Sequence, residues 1–320
     1  MSFSSKVKEE LVKIENIAPC CRHAMAYGML LFGRSFALNS VSIMTEHECV
    51  AKQYALMIEQ AAGFAPQYSV SAAGKYTVSV DDKLQIKKLL NEFSVSGNEA
   101  FSRINRGNLL NECSNDETES FNCCNAAFLR GAFLSCGTIS DPNKGYHLEF
   151  VVPFRMLSFD LLKLLTDYGL KAKHMTRRGV NVIYVKDSES IEDLLNIMGA
   201  KLAAFEIMNI KIYKDIRNVS NRITNFNYAN ISRTVSAAYT QTEKIQKIID
   251  NGAFEALSEE LQTFAKVRLE NPDASLRELG EMFEPPLSRS AVNYRLKKIL
   301  ELCDKCEKEM LAKNNADGGF

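Results

Sequence analysis

The sequence has 320 residues, and its 39 Lys and Arg side chains are balanced by 39 Asp and Glu, so the formal net charge is zero. The length predicts about two domains, and a hydrophobic content of 46% is enough to build real cores. No apolar run reaches the roughly 18 residues of a membrane span, and the charged, amphipathic N-terminus lacks a signal-peptide stretch, so we expect no membrane association. Zero charge argues against a nucleic-acid-binding protein, unless basic residues are grouped locally.

The nine cysteines are predicted to be thiols rather than a disulfide framework. Four of them form two adjacent pairs, Cys20-Cys21 and Cys123-Cys124, and neighbouring cysteines rarely bridge each other. Cys303 and Cys306 make the only C-x-x-C motif of the sequence, with no second motif or histidine pair beside it. Zinc is therefore weakly indicated, and we predict neither a metal nor a cofactor.

The chain contains an internal repeat. Each cysteine pair precedes a glycine, Gly28 or Gly131, at the same spacing, and the two copies are offset by 103 residues. Apolar helical runs surround these glycines: AMAYGMLLFGRSF (24–36) and AFLRGAFLSCGTI (127–139). A glycine inside a helix costs about 1 kcal/mol relative to alanine. Two at matching positions predict that the two helices pack closely together.

The segments after each glycine helix also match. Alternating apolar residues predict strands at 41–46 and 147–152, and a second strand signal follows in each copy, at 75–80 and 180–185. Helical patterns lie at 51–63 and 156–169, each ending in glycine, and at 82–93 and 188–199. Both copies read α-β-(β)-α-β-(β)-α. We expect repeats at 1–110 and 123–205, with the acidic, polar segment 111–122 as their connector.

Residues 216–242 contain no acidic side chain and carry Arg217, Arg222 and Arg233 among asparagine and aromatic residues. This composition suits contacts with phosphate and sugar. A solvated interdomain linker, placed at 206–245, explains it equally well.

The C-terminal part, 246–320, predicts three helices. The first is 257–272, ended by Pro272; the second opens at a Ser275-x-x-Glu278 capping box; the third is 288–303, after a break at 284–287. This arrangement is typical of a helix-turn-helix unit whose third helix enters the major groove.

The third helix carries four basic residues and no acid between 285 and 300. Its N-terminal polar side chains have the donors and acceptors that read base edges: Ser288, Arg289, Ser290 and Asn293. Tyr294 shares the polar face, and Arg295, Lys297 and Lys298 suit phosphates. The alternative is a structural three-helix bundle with a solvated face.

A further basic run, 171–179, holds Lys171, Lys173, Arg177 and Arg178 without an acid. It precedes the last strand of the second repeat, where a sheet could meet DNA. A solvated hairpin is an equally good interpretation.

The helices around Gly28 and Gly131 resemble the LAGLIDADG helices of homing endonucleases, which pack through small residues and end in metal-binding acids. Aligned with that motif, Gly33 and Cys136 stand at the acidic positions, and Leu31 and Leu134 at the other acidic positions of the consensus. With no paired carboxylates, the resemblance implies the scaffold without the nuclease chemistry.

Nearly the whole chain resembles the WhiA family of sporulation and cell-division transcription regulators. The matching segments are CCRHAMAYGML (20–30), FLRGAFLSCGTISDPNKGYHLEF (128–150), RNVSNRITNFNYANISRTVSAA (217–238) and SLRELGEMFEPPLSRSAVNYRLKKI (275–299). The resemblance implies an α+β protein with a two-repeat homing-endonuclease-like domain and an all-α helix-turn-helix domain similar to region 4 of sigma factors.

The expected function is therefore sequence-specific binding of double-stranded DNA by a non-enzymatic regulator. The resemblance extends this to RNA polymerase or other transcription factors as partners and to a cytoplasmic, nucleoid-associated location. Two alternatives stay open. An endonuclease would need other carboxylates to hold metal, such as Glu46, Asp141 or Glu149; an interaction scaffold would use the N-terminal domain to dock a protein.

Overall fold

The computed structural model describes residues 1–14, 18–98, 102–110 and 123–317. The chain divides into two compact units, unit 1 (Met1–Lys214) and unit 2 (Asp215–Phe320). No helix in the described part of the chain is both long enough and apolar enough to cross a membrane. The predicted connector, 111–122, lies outside the described residues.

Unit 1 begins with α1 (Phe3–Val12), which precedes the first repeat. The first repeat consists of α2 (Pro19–Leu31), β1 (Ser35–Ala37), β2 (Ser40–Thr45), α3 (Glu48–Ala62), β3 (Gln67–Val70), β4 (Tyr76–Val80) and α4 (Lys83–Glu92). The second repeat consists of α5 (Cys123–Cys136), β5 (Gly137–Ile139), β6 (Leu148–Val152), α6 (Arg155–Asp167), β7 (Lys173–Arg177), β8 (Val180–Val185) and α7 (Ser188–Met198). The two repeats therefore share one order of elements, as predicted.

Each repeat forms an antiparallel sheet of four strands, in the order β1-β2-β4-β3 in the first repeat and β5-β6-β8-β7 in the second. The apolar face of each sheet is defined by equivalent buried pairs, Ile43 opposite Val78 and Phe150 opposite Ile183. Alternate side chains along these strands point to opposite faces, which explains why the period-two pattern located them. One core runs through both repeats.

The two central helices of unit 1, α2 and α5, are apolar on nearly every side, because each is covered by its own sheet and by the other helix. Ser135 Oγ donates a hydrogen bond to the Met29 carbonyl at 2.8 Å, and the Tyr27 and Phe128 rings lie 5.5 Å apart. The helices end earlier than predicted, since 35–37 and 137–139 are strands. An apolar run alone does not distinguish the last turn of a helix from a short buried strand.

Unit 2 contains α8 (Lys201–Asp250) from Asp215 onward, then α9 (Glu259–Glu270), α10 (Leu276–Glu281) and α11 (Arg289–Asp317). Its own core includes Ile245 and Ile248 of α8, Phe264 of α9 and Leu296 of α11. The predicted linker, 206–245, lies wholly within α8. The polar composition of this segment did not predict a helix. The N-terminus of α8 lies in unit 1, where the Glu10 carboxylate accepts hydrogen bonds from the Leu202 and Ala203 N–H groups at 2.7 and 3.0 Å.

The prediction that every cysteine is a thiol is wrong. Cys123 is disulfide-bonded, whereas Cys20, Cys21, Cys49, Cys124, Cys136 and Cys303 are thiols. Sequence spacing does not reveal which sulfur atoms the fold brings within bonding distance.

Candidate nucleic-acid interface

The helix-turn-helix frame of unit 2 is built by local signals in the sequence. α10 opens with the predicted capping box: Ser275 Oγ accepts from the Glu278 N–H at 3.3 Å, and the Glu278 carboxylate accepts from the Ser275 N–H at 2.8 Å. The same N–H of Ser275 lowers the pKa of the Glu278 carboxyl. Behind this cap, Phe264, Leu279 and Val292 join the three helices in one core.

The turn between α10 and α11 depends on Gly280. The Leu287 N–H donates to the Gly280 carbonyl at 2.9 Å. A Cβ atom built on Gly280 would lie 2.3 Å from the Leu287 carbonyl oxygen, which leaves no room for a larger residue. This contact fixes where α11 begins relative to α10.

The first turns of α11 present polar side chains on one exposed face. Ser290, Asn293, Tyr294 and Lys297 follow the i, i+3, i+4, i+7 spacing of a helix face, and all four are exposed. Ser288 is also exposed, and its Oγ accepts from the Ala291 N–H at 3.2 Å, so it caps the helix while its hydroxyl proton stays able to donate. The opposite face, through Val292, Leu296 and Ile299, is buried.

Arg289, at the start of α11, lines a cleft of about 430 Å³ together with Arg233 of α8, Arg268 of α9 and Arg277 of α10. We call these four residues the arginine cleft. No acidic residue is among the side chains that line it. Four guanidinium groups surround this concavity, one of them (Arg277) ion-paired with Glu281, and guanidinium groups are suited to bind phosphate oxygens.

Arg268 also holds the frame together. It is 2% exposed, and its Nη1 donates to the Ala274 carbonyl at 2.5 Å in the loop between α9 and α10. Burial lowers the pKa of Arg268, and the nearby Asp273 charge offsets part of that effect. Its Nε has no hydrogen-bond partner among the described residues. A buried donor beside an open cleft is suited to an anionic oxygen that enters from outside.

The three basic residues that the sequence assigned to phosphates have different surroundings. Arg295 forms an ion pair with Glu260 of α9, and its side chain is only 19% exposed. Lys297 is exposed and lies 3.9 Å from Glu301. The Lys298 ammonium lies over the Tyr294 ring at 4.8 Å from its centroid, and the hydrogen bond between the two raises the pKa of Lys298. Lys297 and Lys298 are thus more accessible to a ligand than Arg295.

The arginines of the predicted linker lie on α8 and are exposed. Arg222 and Arg233 are eleven residues apart, about three helical turns, so they share a face, and Arg233 lines the arginine cleft. Arg217 is five residues before Arg222 and points to a different side of the helix. The fold therefore brings only Arg233 to the helix-turn-helix.

The basic segment 171–179 is a hairpin in unit 1. Arg177 pairs with Val180 across β7 and β8, so Arg178 and Gly179 form a two-residue loop, both with positive φ. Lys171 lies 3.1 Å from Asp187 and Arg177 lies 3.6 Å from Glu149, so two of the four basic charges are paired. Lys173 and Arg178 are exposed.

The LAGLIDADG resemblance places metal-binding acids at the ends of α2 and α5, but Gly33 and Cys136 occupy these positions. A Cβ on Gly33 would lie 3.0 Å from the Ser42 carbonyl and 3.2 Å from the buried Tyr54 hydroxyl, so a carboxylate there would need both neighbours to move. Burial raises the pKa of the Cys136 thiol to about 12, which keeps it protonated near neutral pH. Neither position offers a charged ligand for a metal ion.

A buried lysine lies at this end of the helix pair. Lys8 of α1 is 5% exposed, and its Nζ donates to the Leu134 carbonyl of α5 at 3.2 Å. An ammonium group is favourable near a helix C-terminus, and it repels a second cation. Burial lowers the pKa of Lys8 to about 8, with weaker opposing effects from Cys136 and Cys49.

Replacing Lys8 with Met is expected to raise the free energy of unfolding by about 1–3 kcal/mol at pH 7, since folding then no longer buries a charge. Lys8 has a pKa of about 8 in the folded chain and the ordinary 10.5 when unfolded, so between those values the unfolded state binds more protons. The wild type therefore gains stability as pH rises through that window. The difference in the free energy of unfolding between Lys8→Met and the wild type should therefore shrink toward zero. Urea denaturation across pH 7 to 10.5 measures it.

Lys6→Met is the matched control, because Lys6 lies on the same helix but its side chain is 55% exposed. Its stability difference from the wild type should be smaller than that of Lys8→Met at pH 7, because folding does not bury the Lys6 side chain. A Lys8→Met difference that is independent of pH would contradict the buried charge.

The three carboxylates considered as metal ligands for an endonuclease each contact different partners. Glu46 lies 3.7 Å from Lys75, Glu149 lies 3.1 Å from His147 and 3.6 Å from Arg177, and Asp141 accepts from the Asn143 N–H at 2.9 Å. Within the described ranges, none of the three belongs to a group of at least three His, Cys, Asp or Glu side chains that could hold a metal.

Sequence reasoning missed Arg268 and Arg277 of the arginine cleft. Arg268 did leave a signal, because it stands four residues after Phe264 on the buried face of α9, where an arginine needs a particular reason to be. Arg277 left none. It pairs with Glu281 at 3.1 Å one turn later, as many surface arginines do.

Two α-β-β-α-β-β-α repeats that meet through a central helix pair, followed by a helix-turn-helix, define a LAGLIDADG-type domain joined to a DNA-binding class of fold. Family models agree: the WhiA LAGLIDADG-like domain matches residues 125–217, and the WhiA C-terminal HTH domain matches residues 220–303. The chain belongs to the WhiA family.

Its relatives include the "Probable cell division protein WhiA" of Ruminiclostridium cellulolyticum, 37% identical over 96% of this chain and 99% of the relative. That of Alkaliphilus oremlandii is 36% identical over 96% of this chain and 98% of the relative. Among solved structures, full-length DUF199/WhiA from Thermatoga maritima is similar in fold, with a TM-score of 0.57, 22% identity and coverage of 95% of this chain and 99% of that one.

Proposed function

We propose that the chain is a sequence-specific regulator of transcription that binds double-stranded DNA through unit 2, and that it acts in cell division, chromosome segregation or sporulation. The start of α11 reads base edges in the major groove through Ser288, Arg289, Ser290 and Asn293. The other three arginines of the cleft, Arg233, Arg268 and Arg277, hold phosphates together with Lys297 and Lys298. The relatives' name, "Probable cell division protein WhiA", supports the cellular role.

The single observation that carries this proposal is that the exposed polar face of α11 and the arginine cleft adjoin each other. The exposed polar face of α11 begins at Arg289, and Arg289 also lines the arginine cleft. Base readout and phosphate contacts need to be adjacent, because phosphate contacts set the register in which bases are read. A purely structural three-helix bundle has no need for such an arrangement.

We also propose that the LAGLIDADG-like domain lacks nuclease activity. Gly33 and Cys136 offer no carboxylate, and the Lys8 ammonium lies near Cys136. Metal-assisted phosphodiester cleavage needs ligands that concentrate a divalent cation, and this end of the helices disfavours one.

The remaining assignments are extensions of this proposal. We place the repeats at 1–110 and 123–205, a linker at 206–245 and the DNA-binding domain at 246–320. Arg217, Arg222, Lys171, Lys173, Arg177 and Arg178 are candidate secondary phosphate contacts, weakened where acids pair with them. A nucleoid-associated, cytoplasmic location and contacts with RNA polymerase or other transcription factors fit such a regulator.

A plasmid assay tests the proposal. Full-length protein is incubated with supercoiled plasmid and Mg²⁺ or Mn²⁺, and we expect the DNA to be retarded in a gel but neither nicked nor linearised. Glu149→Ala, which removes the most connected of the acids considered for cleavage, should behave in the same way. Metal-dependent nicking that this substitution abolishes would establish an endonuclease, and no retardation at low salt would favour a protein-interaction scaffold.

A further inference from the structure

The two cysteine pairs that mark the internal repeat meet in unit 1. Cys20 and Cys21 lie in the first turn of α2, and Cys123 and Cys124 open α5. Their four Sγ atoms all lie within 4.8 Å of one another. We call them the four-cysteine cluster. It lies at the N-terminal ends of the central helices, opposite the ends that carry Gly33 and Cys136.

The cluster is enclosed. Cys20, Cys21 and Cys124 are 7%, 8% and 0% exposed, and Cys123 is half-buried. The Cys21 thiol is hydrogen-bonded to those of Cys20 and Cys124. Four thiolates this close would repel one another strongly. A cation placed among them would remove that repulsion and let them ionise.

Three features of the surroundings favour negative charge here. The first turns of two helices supply N-terminal dipoles at the same point, and such positions stabilise thiolates. The third feature is Arg130, which is 9% exposed and whose Nε donates to the Met198 carbonyl at 2.6 Å. The ion pairs of the described residues include none between Arg130 and a carboxylate, and Arg130 lies close enough to Cys21 for an electrostatic interaction.

We propose that Cys20, Cys21, Cys123 and Cys124 form a tetrahedral Zn²⁺ site that joins the two repeats in the reduced protein. Zn–S bonds of about 2.3 Å put tetrahedral sulfur atoms about 3.8 Å apart, so the cluster needs to contract by about 1 Å at most. Four thiolates and one Zn²⁺ leave two net negative charges, which the helix dipoles and Arg130 stabilise. Four protein ligands leave no open position, so the site is structural rather than catalytic.

Formation of the site requires reduction, because Cys123 is disulfide-bonded. A dithiol reductant exchanges with this disulfide, which gives two protein thiols and one disulfide in the reductant. Zinc then binds as each coordinating thiol loses its proton to solvent. Zinc occupancy and oxidation of Cys123 are therefore mutually exclusive, and the sequence alone, which favoured no metal, did not reveal this.

Zinc content tests the proposal. Full-length protein is reduced with dithiothreitol, supplied with zinc, dialysed into metal-free buffer and analysed by inductively coupled plasma mass spectrometry. We expect one zinc ion per chain in the wild type and near-total loss in Cys21→Ser and Cys124→Ser. Cys49→Ser, which removes a half-buried thiol elsewhere in unit 1, should retain the metal. Cobalt(II) in place of zinc should give the intense visible bands of tetrahedral thiolate coordination.

A second measurement on the wild type covers the case in which the serine variants do not fold. Zinc content of the wild type kept oxidised and of the wild type reduced with dithiothreitol should be near zero and near one ion per chain, because the disulfide at Cys123 and the zinc site exclude each other. Absence of zinc from the reduced wild type, retention of zinc by both variants, or equal zinc content in the oxidised and the reduced wild type would each overturn the site. None of these outcomes depends on DNA binding.

Discussion

Replacing Gly131 with alanine is expected to lower the free energy of unfolding by about 2–4 kcal/mol, because α2 and α5 are in backbone contact at this point. A Cβ on Gly131 would lie 2.2 Å from the Met25 carbonyl oxygen and 2.9 Å from the Met29 nitrogen. Both are backbone atoms of a buried helix, so neither can rotate away. The helices would have to separate, which would also strain the hydrogen bond from Ser135 to Met29.

The sign of the effect is diagnostic, since alanine is normally about 1 kcal/mol better than glycine in a helix. Gly28→Ala should show a comparable loss, because its Cβ would lie 2.3 Å from the Phe128 carbonyl. Gly145→Ala is the matched control, with nothing within 4 Å of the added atom. Urea denaturation followed by far-ultraviolet circular dichroism measures all three, and a stabilising Gly131→Ala would contradict the packing role predicted from the repeat.

Replacing Arg289 with alanine is expected to weaken binding to cognate DNA by about 1–3 kcal/mol, roughly 5- to 150-fold, if the guanidinium reads a guanine. Because random DNA lacks that base at the matching position, its binding should change less, and specificity should relax at one base pair. Fluorescence anisotropy with a site recovered from the chromosome and a shuffled duplex of equal composition measures both.

Lys298→Ala provides the contrast, since a phosphate contact carries no sequence information. It should weaken both duplexes alike and reduce the slope of log affinity against log salt by about one. Equal losses on both duplexes for Arg289→Ala would place that residue among the phosphate contacts of the arginine cleft instead.

Much of the fold could be predicted because the signals are local and occur twice. The strand at Tyr76–Val80 alternates apolar and polar residues, the strand at Val180–Val185 is rich in β-branched residues, and the left-handed Gly63 ends α3 as predicted. The Ser275 capping box located α10 for the same reason, since the residues that form it are three positions apart. Short strands such as β5 were not located, because three residues give no periodicity.

The length of α8 could not be predicted from residues 216–242, whose asparagine, serine and threonine content is also typical of a loop. Its N-terminus is fixed by Glu10, which is 192 residues away from Leu202 in sequence. Tertiary contacts of this kind override local propensity.

The residue types of the candidate site could be predicted from the sequence, but the ion pairs that its residues form could not. The acid-free start of α11 was evident, but the Arg295–Glu260 ion pair joins residues 35 positions apart, so sequence spacing gave no warning of it. The arginine cleft and the four-cysteine cluster also draw on elements that are distant in sequence. For the cysteines a signal existed, because identical pairs at equivalent repeat positions must meet when the two helices pack side by side.

The central claim is that the start of α11 selects DNA sequence. Its most direct test is chromosome-wide occupancy, by immunoprecipitation and sequencing, of the full-length wild type and of a Ser290→Ala, Asn293→Ala variant. Both positions are exposed, so the variant should fold normally. We predict discrete wild-type sites that share a sequence motif, and their loss in the variant at an equal protein level. The same sites occupied to the same extent by the variant would contradict base readout by this helix.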